Sequence, residues 1–462
     1  MIDNTSHIWA KAEFGDCYSL GDLRRTKRLV KIARGLAENV GTAISSCCGR
    51  TDAQLISRLF NQEEVTVDAV LECHIQQSVS RCSGSDLVIA VQDTTFLDFT
   101  GRKDLRDDLG PIGPSSETRG VLMHSVLAVT PERTPLGLLR MCLWARDPAE
   151  YGNGAKRRSR LVADKESRKW LDGLAQVELA LPDSQPVLVV GDRESDVFAL
   201  FAVPRRKNTN LLVRASQNRA IEDAEFSLMR QALDGAPVLG VYKVSVPRQG
   251  KRPAREANLV IQARAINVKS PRHKTADVAD GTVKLYIVRA RELDAPDGVE
   301  PLDWTLLTSL VVDDLDDACK IIDFYSVRWV IEEFHRTLKS GCRVERLQFE
   351  TLERLKPAIA VLSVVAWRVV YLCKRVRETP DVPASTVCTE TERLVMSKWL
   401  KSRKERFSAI DTAADFVRAV AILGGFMGRK CDGNPGTKTL WQGLRRLEDL
   451  VRGYELAVCM GS

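Results

Sequence analysis

Two short runs constrain the fold of this chain more than any other feature. DLVIAVQD and QPVLVVGD carry unbroken apolar segments, Leu87 to Val91 and Val187 to Val190, each followed within two residues by an aspartate, Asp93 and Asp192. Apolar runs of this length without alternation suit strands buried on both faces, the condition of a sheet covered by helices on each side. The chain therefore reads as α/β, with Asp93 at or near the end of one buried strand and Asp192 just past another. Acids placed there are frequent catalytic or metal-binding groups in such folds. A helix N-cap explains one of them nearly as well; two in one chain favour a site.

At 462 residues, 44% apolar and 28% charged, the chain has the makeup of an ordinary globular protein with two or three domains. No apolar run approaches the roughly 20 residues that span a bilayer, and MIDNTSHIWAKAEFG lacks a signal-peptide pattern. A cytoplasmic protein with no membrane partner is expected. The 12 cysteines form no CxxC or Cys/His metal spacing and read as reduced thiols. A net charge of +7 permits a polyanionic partner without demanding one.

Basic charge is concentrated in GDLRRTKRLVKIARGLAENVG, with Asp22 placed to cap a helix and Gly41 to stop it. At about 100° per residue, Leu23, Leu29, Val30, Ala33, Leu36 and Ala37 fall on one side. Arg24, Lys27, Arg28, Lys31 and Arg34 fall on the other. A solvated face and a phosphate-binding ridge are both open readings of that charge. A second helix is expected over Thr51 to Asn61, completing a small helical domain by about residue 70.

Further along, HSVLAVTPERTPLGLLRMCLW reads as a hairpin turning between Pro131 and Pro135, and KESRKWLDGLAQVEL as a helix. YSVRWVIEEFHRTLK reads as one helix from Tyr325 to Lys339. Projected from Tyr325, Arg328, Glu332 and Lys339 lie at about 300°, 340° and 320°, a narrow polar stripe about 21 Å long. Val327, Val330, Ile331, Phe334 and Leu338 form the apolar back. Glu333, at about 80°, leaves the stripe. The helical angle thus selects Glu332 as the acid able to join Asp93 and Asp192, and leaves Glu333 as surface or support. Three such acids suit Mg²⁺ or Mn²⁺, and two ions bound together can drive an in-line displacement at phosphorus. Five histidines without clustered spacing argue against zinc.

QDTT around Asp93, GDRESD around Asp192 and the spacing of Tyr325, Arg328, Glu332 and Lys339 resemble the DDE transposases of bacterial insertion sequences. These carry the YREK signature and include the Tn-five transposase. SLGDLRRTKRLV and LGGFMGRKCDGNPGTKTLWQGLRRL extend the resemblance almost end to end. It implies an RNase H-like catalytic core over residues 71–375, with Asp93, Asp192 and Glu332 as catalytic, metal-binding acids. A β-rich subdomain is expected as an insertion at about 205–312, from NLLVRAS, GVYKVSVPR, NLVIQARAI, TVKLYIVRA and DWTLLTSL. It further implies an N-terminal helical domain over 1–70 that binds DNA ends, and a helical dimerisation domain over 376–462.

By the same resemblance, Tyr325, Arg328 and Lys339 contact the DNA backbone, Trp304 stacks on a flipped base and Arg214 lies near the DNA end. Arg24, Arg25, Lys27, Arg28 and Lys31 are the candidate DNA contacts of the N-terminal helix. The basic loops RQGKRPAR and KSPRHK read as further contacts or as solvated hairpin tips. The implied activity is cut-and-paste transposition. Water cuts one strand, the freed 3′-hydroxyl forms a hairpin on the other, water reopens it, and the 3′ end joins target DNA. The implied partners are double-stranded DNA, both transposon ends and target, and a second copy of the chain, with the protein on the nucleoid when bound.

Leu440, Leu444, Leu447 and Val451 have the spacing of a dimer seam or of a core-packing helix. Asp313, Asp314, Asp316 and Asp317 read as helix-capping acids, and Asp98 and Asp196 as neighbours of the two strand acids. Two other functions share the fold: an RNase H-like DNA nuclease without strand transfer, and a non-catalytic DNA-binding inhibitor of transposition.

Overall fold

The computed structural model describes the chain apart from residues 1–5, 42–49, 106, 114, 151–160, 162–164, 247–254, 273–277, 279, 406–408, 430–431 and 462. The loop RQGKRPAR up to Ala254, part of KSPRHK and most of the charged stretch after Trp144 lie outside the described residues.

Among the described residues the chain opens with the helices α1 (Ser6–Phe14), α2 (Leu23–Glu38), α3 (Arg50–Phe60) and α4 (Val67–Cys82). Asp22 caps α2 by accepting from Arg24 N at 2.7 Å. The helix stops at Glu38, before Gly41, because Asn39 turns its amide back onto Gly35 O at 2.9 Å. Leu23, expected on the buried side, is exposed at 61%. It stands at the first helical position, before the first full turn; Thr26, Leu29, Ile32, Ala33, Leu36 and Ala37 make the buried face instead.

The sheet follows. Strands β1 (Val88–Asp98), β2 (Gly110–Pro111), β3 (Arg119–Val129) and β4 (Pro135–Trp144) lead through α5 (Arg168–Ala180) to β5 (Val187–Gly191). After α6 (Phe198–Ala202) comes β6 (Thr209–Arg214), then α7 (Met229–Asp234). β1, β3 and β4 form an antiparallel meander, while β5 runs parallel to β1 and β6 parallel to β5. The order β4-β3-β1-β5-β6, with the last two strands parallel to the first, is the RNase H-like arrangement. β1 is longer than its apolar run and places Asp93 in mid-strand. Pairing with β3 continues from Ile89 to Asp98, so the backbone beyond Val91 stays extended.

Strands β7 (Val238–Val246), β8 (Arg255–Lys269), β9 (Thr282–Glu292) and β10 (Asp303–Thr308) are antiparallel neighbours in turn. They form no separate sheet: β10 pairs with β6, making one continuous sheet of ten strands among the described residues.

Alternation along β1 sends its side chains into two cores. Val88 and Ala90 pack with Trp170 and Leu174 of α5. Ile89 and Val91, on the face of Asp93, pack with the helices that follow the sheet. Those are α8 (Leu315–Ser326), α9 (Trp329–Arg336) and α10 (Leu352–Glu378). The last of these is long and apolar enough by composition to cross a membrane, which the reading of the apolar runs missed. Ser363 and Arg368 interrupt its apolar run, and the helix is the buried axis of the core. Helices α11 (Glu390–Ser402), α12 (Ala413–Leu423) and α13 (Thr437–Gly461) finish the chain.

The stretch from Tyr325 to Lys339 is not one straight helix. α8 ends at Ser326, and 3₁₀-type bonds from Val327 N to Phe324 O and Arg328 N to Tyr325 O tighten the passage into α9. At the other end Thr337–Gly341 widens into a π-turn. Local under- and over-winding, absent from a uniform 100° projection, therefore replaces the single 21 Å stripe.

Candidate active site

Val91 pairs with Val190 across the parallel strands β1 and β5, and Asp93 and Asp192 each lie two residues further on. Asp93 is still in β1 while Asp192 stands just past the end of β5, and the two lie close enough for Asp192 to disfavour the charge on Asp93. Gly191 sits just before Asp192 because a Cβ there would lie 2.3 Å from Ser195 Oγ. That hydroxyl donates to Asp192 O at 2.6 Å and closes the turn. Asp192 also caps the turn, with Oδ1 accepting from Glu194 N at 2.9 Å. Capping occupies that one oxygen.

Asp93 is largely enclosed. Its Oδ1 accepts from Thr94 N at 2.9 Å, and its Oδ2 lies 3.9 Å from Arg328 Nη1 and 3.7 Å from His335 Nδ1. Burial pushes its carboxyl up to about 7; Arg328 opposes the rise, while Asp192 and Glu332 add to it. Burial raises Asp192 as well. His335 is fully buried and held neutral, pushed down to about 3 by burial and by Lys339 and Arg328. Sequence reasoning passed over His335, although its position three residues after Glu332 places it on the same side of α9.

Glu332 is turned toward Arg328, whose Nη2 donates to its Oε1 at 2.6 Å. Burial opposes the charge on Arg328, but Tyr325, Glu332 and Asp93 together raise its pKa. Tyr325 is buried; the Arg328 guanidinium lies 5.8 Å from its ring and the half-buried Trp304 ring lies edge-on at 6.0 Å. Arg214 stands at the end of β6, its guanidinium donating to Asp303 O at 3.3 Å, next to Trp304 in sequence. Lys339 is half-buried in the π-turn, and burial lowers its pKa against the pull of Glu345, Asp98 and Asp93. The structure thus gathers Asp93, Asp192, Glu332, Tyr325, Arg328 and Lys339 into one charged cluster, with Trp304 and Arg214 beside Tyr325.

Among the described residues no three acids, histidines or cysteines stand as a formed ligand set. The donors nonetheless fit a hard divalent cation. Two adjacent carboxylates with raised pKa values, and a third held by an arginine, describe negative charge that the chain alone leaves poorly neutralised.

The neighbouring acids have other employment. Asp196 is buried and accepts from Ser216 N, Ser216 Oγ, Gln217 N and Arg219 Nε. Asp98 accepts from Thr100 N and Oγ1. Asp314 caps α8 through Asp317 N. Glu333 pairs with Lys374 of α10 at 3.1 Å, on a different face from Glu332.

On α2, Arg24, Lys27 and Lys31 are exposed and Arg28 is half-buried. Arg25 departs from this ridge. Its guanidinium donates to Leu20 O at 2.9 Å and pairs with Glu64 at 2.9 Å, tying α2 to the segment after α3. Leu440, Leu447 and Val451 of α13 are buried in this chain's own core, so this stripe is a packing face; Leu456, Val458 and Met460 near the helix end are exposed.

Three family models match in succession: transposase DNA-binding over residues 6–65, transposase DDE domain over 164–367 and transposase Tn5 dimerisation domain over 364–461. Their order is that of the helices before the sheet, the second half of the sheet with α8 to α10, and the terminal helices. Asp93 precedes the DDE match, which includes Asp192 and Glu332. The chain belongs to the Tn5-like DDE transposases: it is a polynucleotidyl transferase whose partners are DNA and a second copy of itself.

Proposed function

We infer that this transposase performs cut-and-paste transposition, with Asp93, Asp192 and Glu332 as its catalytic acids. The reading is carried by the pairing of Val91 with Val190, which brings Asp93 of β1 near Asp192 at the end of β5, and by the charge of Glu332 acting on Asp93 as well. A pair of Mg²⁺ or Mn²⁺ ions held by these acids supplies, when bound, an activated nucleophile and a neutralised leaving oxygen.

The chain's own part is to place the phosphate and to release the third acid. Arg328 holds Glu332 at 2.6 Å in the DNA-free chain, and a DNA phosphate is a competing partner for the same guanidinium. When the phosphate takes Arg328, Glu332 is freed toward Asp93 and Asp192. Substrate and third carboxylate therefore arrive together. Tyr325 and Lys339 contact the backbone, and Trp304 offers an aromatic face to an unstacked base with Arg214 beside it.

Each chemical step is a displacement at phosphorus with a changed nucleophile: water, the freed 3′-hydroxyl on the opposite strand, water on the hairpin, then the 3′-hydroxyl on target DNA. The exposed Arg24, Lys27 and Lys31, with Arg28, contact the transposon end. Purified protein with its cognate ends and a target plasmid tests this reading. Hairpin and joined products are expected; cleavage without joining would leave a nuclease of the same fold.

A further inference from the structure

Two glycines and a tryptophan from three parts of the chain meet at the end of α9. Gly41, at φ +80°, lies so close to the π-turn that a Cβ on it would stand 2.4 Å from Gly341 O. Gly341 is covered in turn by the indole of Trp441 from α13. A Cβ on Gly341 would stand 2.9 Å from Trp441 Cδ2 and Cε3, closer than such atoms approach. Trp441 is itself buried.

The backbone that Gly41 and Trp441 both touch is the π-turn Thr337–Gly341, closed by Cys342 N donating to Thr337 O at 2.8 Å. Such a turn holds one residue more than an α-helical turn, so the direction of every side chain in it depends on the bulge being kept. Lys339 is one of them. Beyond the turn Arg343 adopts φ +54°, and Glu345 Oε1 accepts from Asp98 N at 2.9 Å, which fixes the far end to β1. The near end is the buried Phe334 and His335 of α9. With both ends fixed, the packing on Gly341 decides where the middle of the turn points.

We propose that Trp441 is a positioning residue for Lys339, so that the C-terminal helix completes the DNA-binding edge of the candidate active site. The proposal rests on Lys339 making a phosphate contact. It has a consequence for regulation. α13 lies in the segment that matches the dimerisation family, so the seating of that helix and the aim of Lys339 are coupled.

The test is the salt dependence of binding to end DNA, together with single-turnover cleavage, in the full-length protein. Each lost phosphate contact lowers the slope of log affinity against log salt by about 1. Lys339→Ala and Trp441→Ala are each expected to lower it by about 1. The double variant is expected to lower it no further, and cleavage by Trp441→Ala to fall on the order of 10- to 100-fold. Trp441→Phe, which keeps an aromatic plug, is expected to retain the slope. Gly341→Ala, with Trp441 intact, is expected to reproduce the loss by forcing the turn off the ring, which covers the case in which Trp441→Ala does not fold.

Folded Trp441→Ala and Gly341→Ala proteins with the full slope would overturn the proposal while leaving the Lys339 contact standing. Additive losses in the double variant would overturn it too. An unchanged slope in Lys339→Ala would instead remove the phosphate contact on which the proposal rests.

Discussion

Arg328 spans two of the three candidate acids: its Nη2 donates to Glu332 at 2.6 Å and its Nη1 stands 3.9 Å from Asp93 Oδ2. A guanidinium so placed acts as a stand-in cation in the DNA-free site. Removing it leaves Asp93, Asp192 and Glu332 without that charge, so Arg328→Ala is expected to bind Mn²⁺ more tightly in the absence of DNA, by about 10-fold. Cleavage of end DNA is expected to fall, because the phosphate loses its partner. Titration calorimetry with Mn²⁺ checks the first effect; weaker binding by the variant would show that Arg328 supports the acids rather than competing for them.

The raised carboxyl of Asp93 sets a pH dependence. Its folded pKa of about 7 lies above the ordinary value of 3.8, so the ionised form is disfavoured in the metal-free fold. This group's contribution favours folding at low pH and is lost as pH rises between those two values. Asp93→Asn, which carries no charge, is expected to be more stable than the parent in chelator at about pH 8, by about 4 kcal/mol. The difference should vanish near about pH 4, where Asp93 is neutral in the fold. Metal affinity of the parent is expected to rise as pH passes through about 7, since binding requires the carboxylate. Denaturant melts at the two pH values read the stability difference.

Asp196 and Asp192 separate stability from chemistry. Asp196 is buried with Arg219 and accepts four hydrogen bonds, so Asp196→Ala leaves a buried guanidinium without its partner. A loss of about 3–5 kcal/mol is expected. Asp192→Ala removes a half-buried acid of raised pKa and one capping bond, so unfolding is expected to change by no more than about 1 kcal/mol while cleavage is lost. Chemical denaturation of both variants beside a cleavage assay distinguishes the roles.

The basic face of α2 divides in the same way. Lys27→Ala is expected to lower the salt slope of end binding by about 1. Arg25→Ala removes the tie to Leu20 O and Glu64, and is expected to lower the melting temperature of the N-terminal helices. If Arg25→Ala changed only the salt slope, its place on the DNA-binding face would be restored.

What was legible in the chain followed from local patterning. The unbroken apolar runs located β1 and β5 and their aspartates, because strands buried on both faces leave little room for polar residues. The 3.6-residue period separated Glu332, facing Arg328, from Glu333, which reaches Lys374. The exceptions depend on distant residues. The π-turn at Lys339 sits against Gly41, about 300 residues before it, and Trp441, about 100 residues after it. Arg25 turns back to Leu20 O and Glu64, and α13 buries Leu440 and Leu447 against helices of its own chain. Periodicity sees one element at a time, so it could neither bend the signature helix nor say which charged side chain had an interior partner.

The central claim is that Asp93 is a metal-binding acid of the cleavage reaction, and an Asp93→Cys variant tests it most directly. A thiolate takes Mn²⁺ more readily than Mg²⁺. In single-turnover cleavage of paired end DNA, the account predicts loss of activity with Mg²⁺ and partial recovery with Mn²⁺. Undiminished cleavage by Asp93→Cys with Mg²⁺ would contradict it.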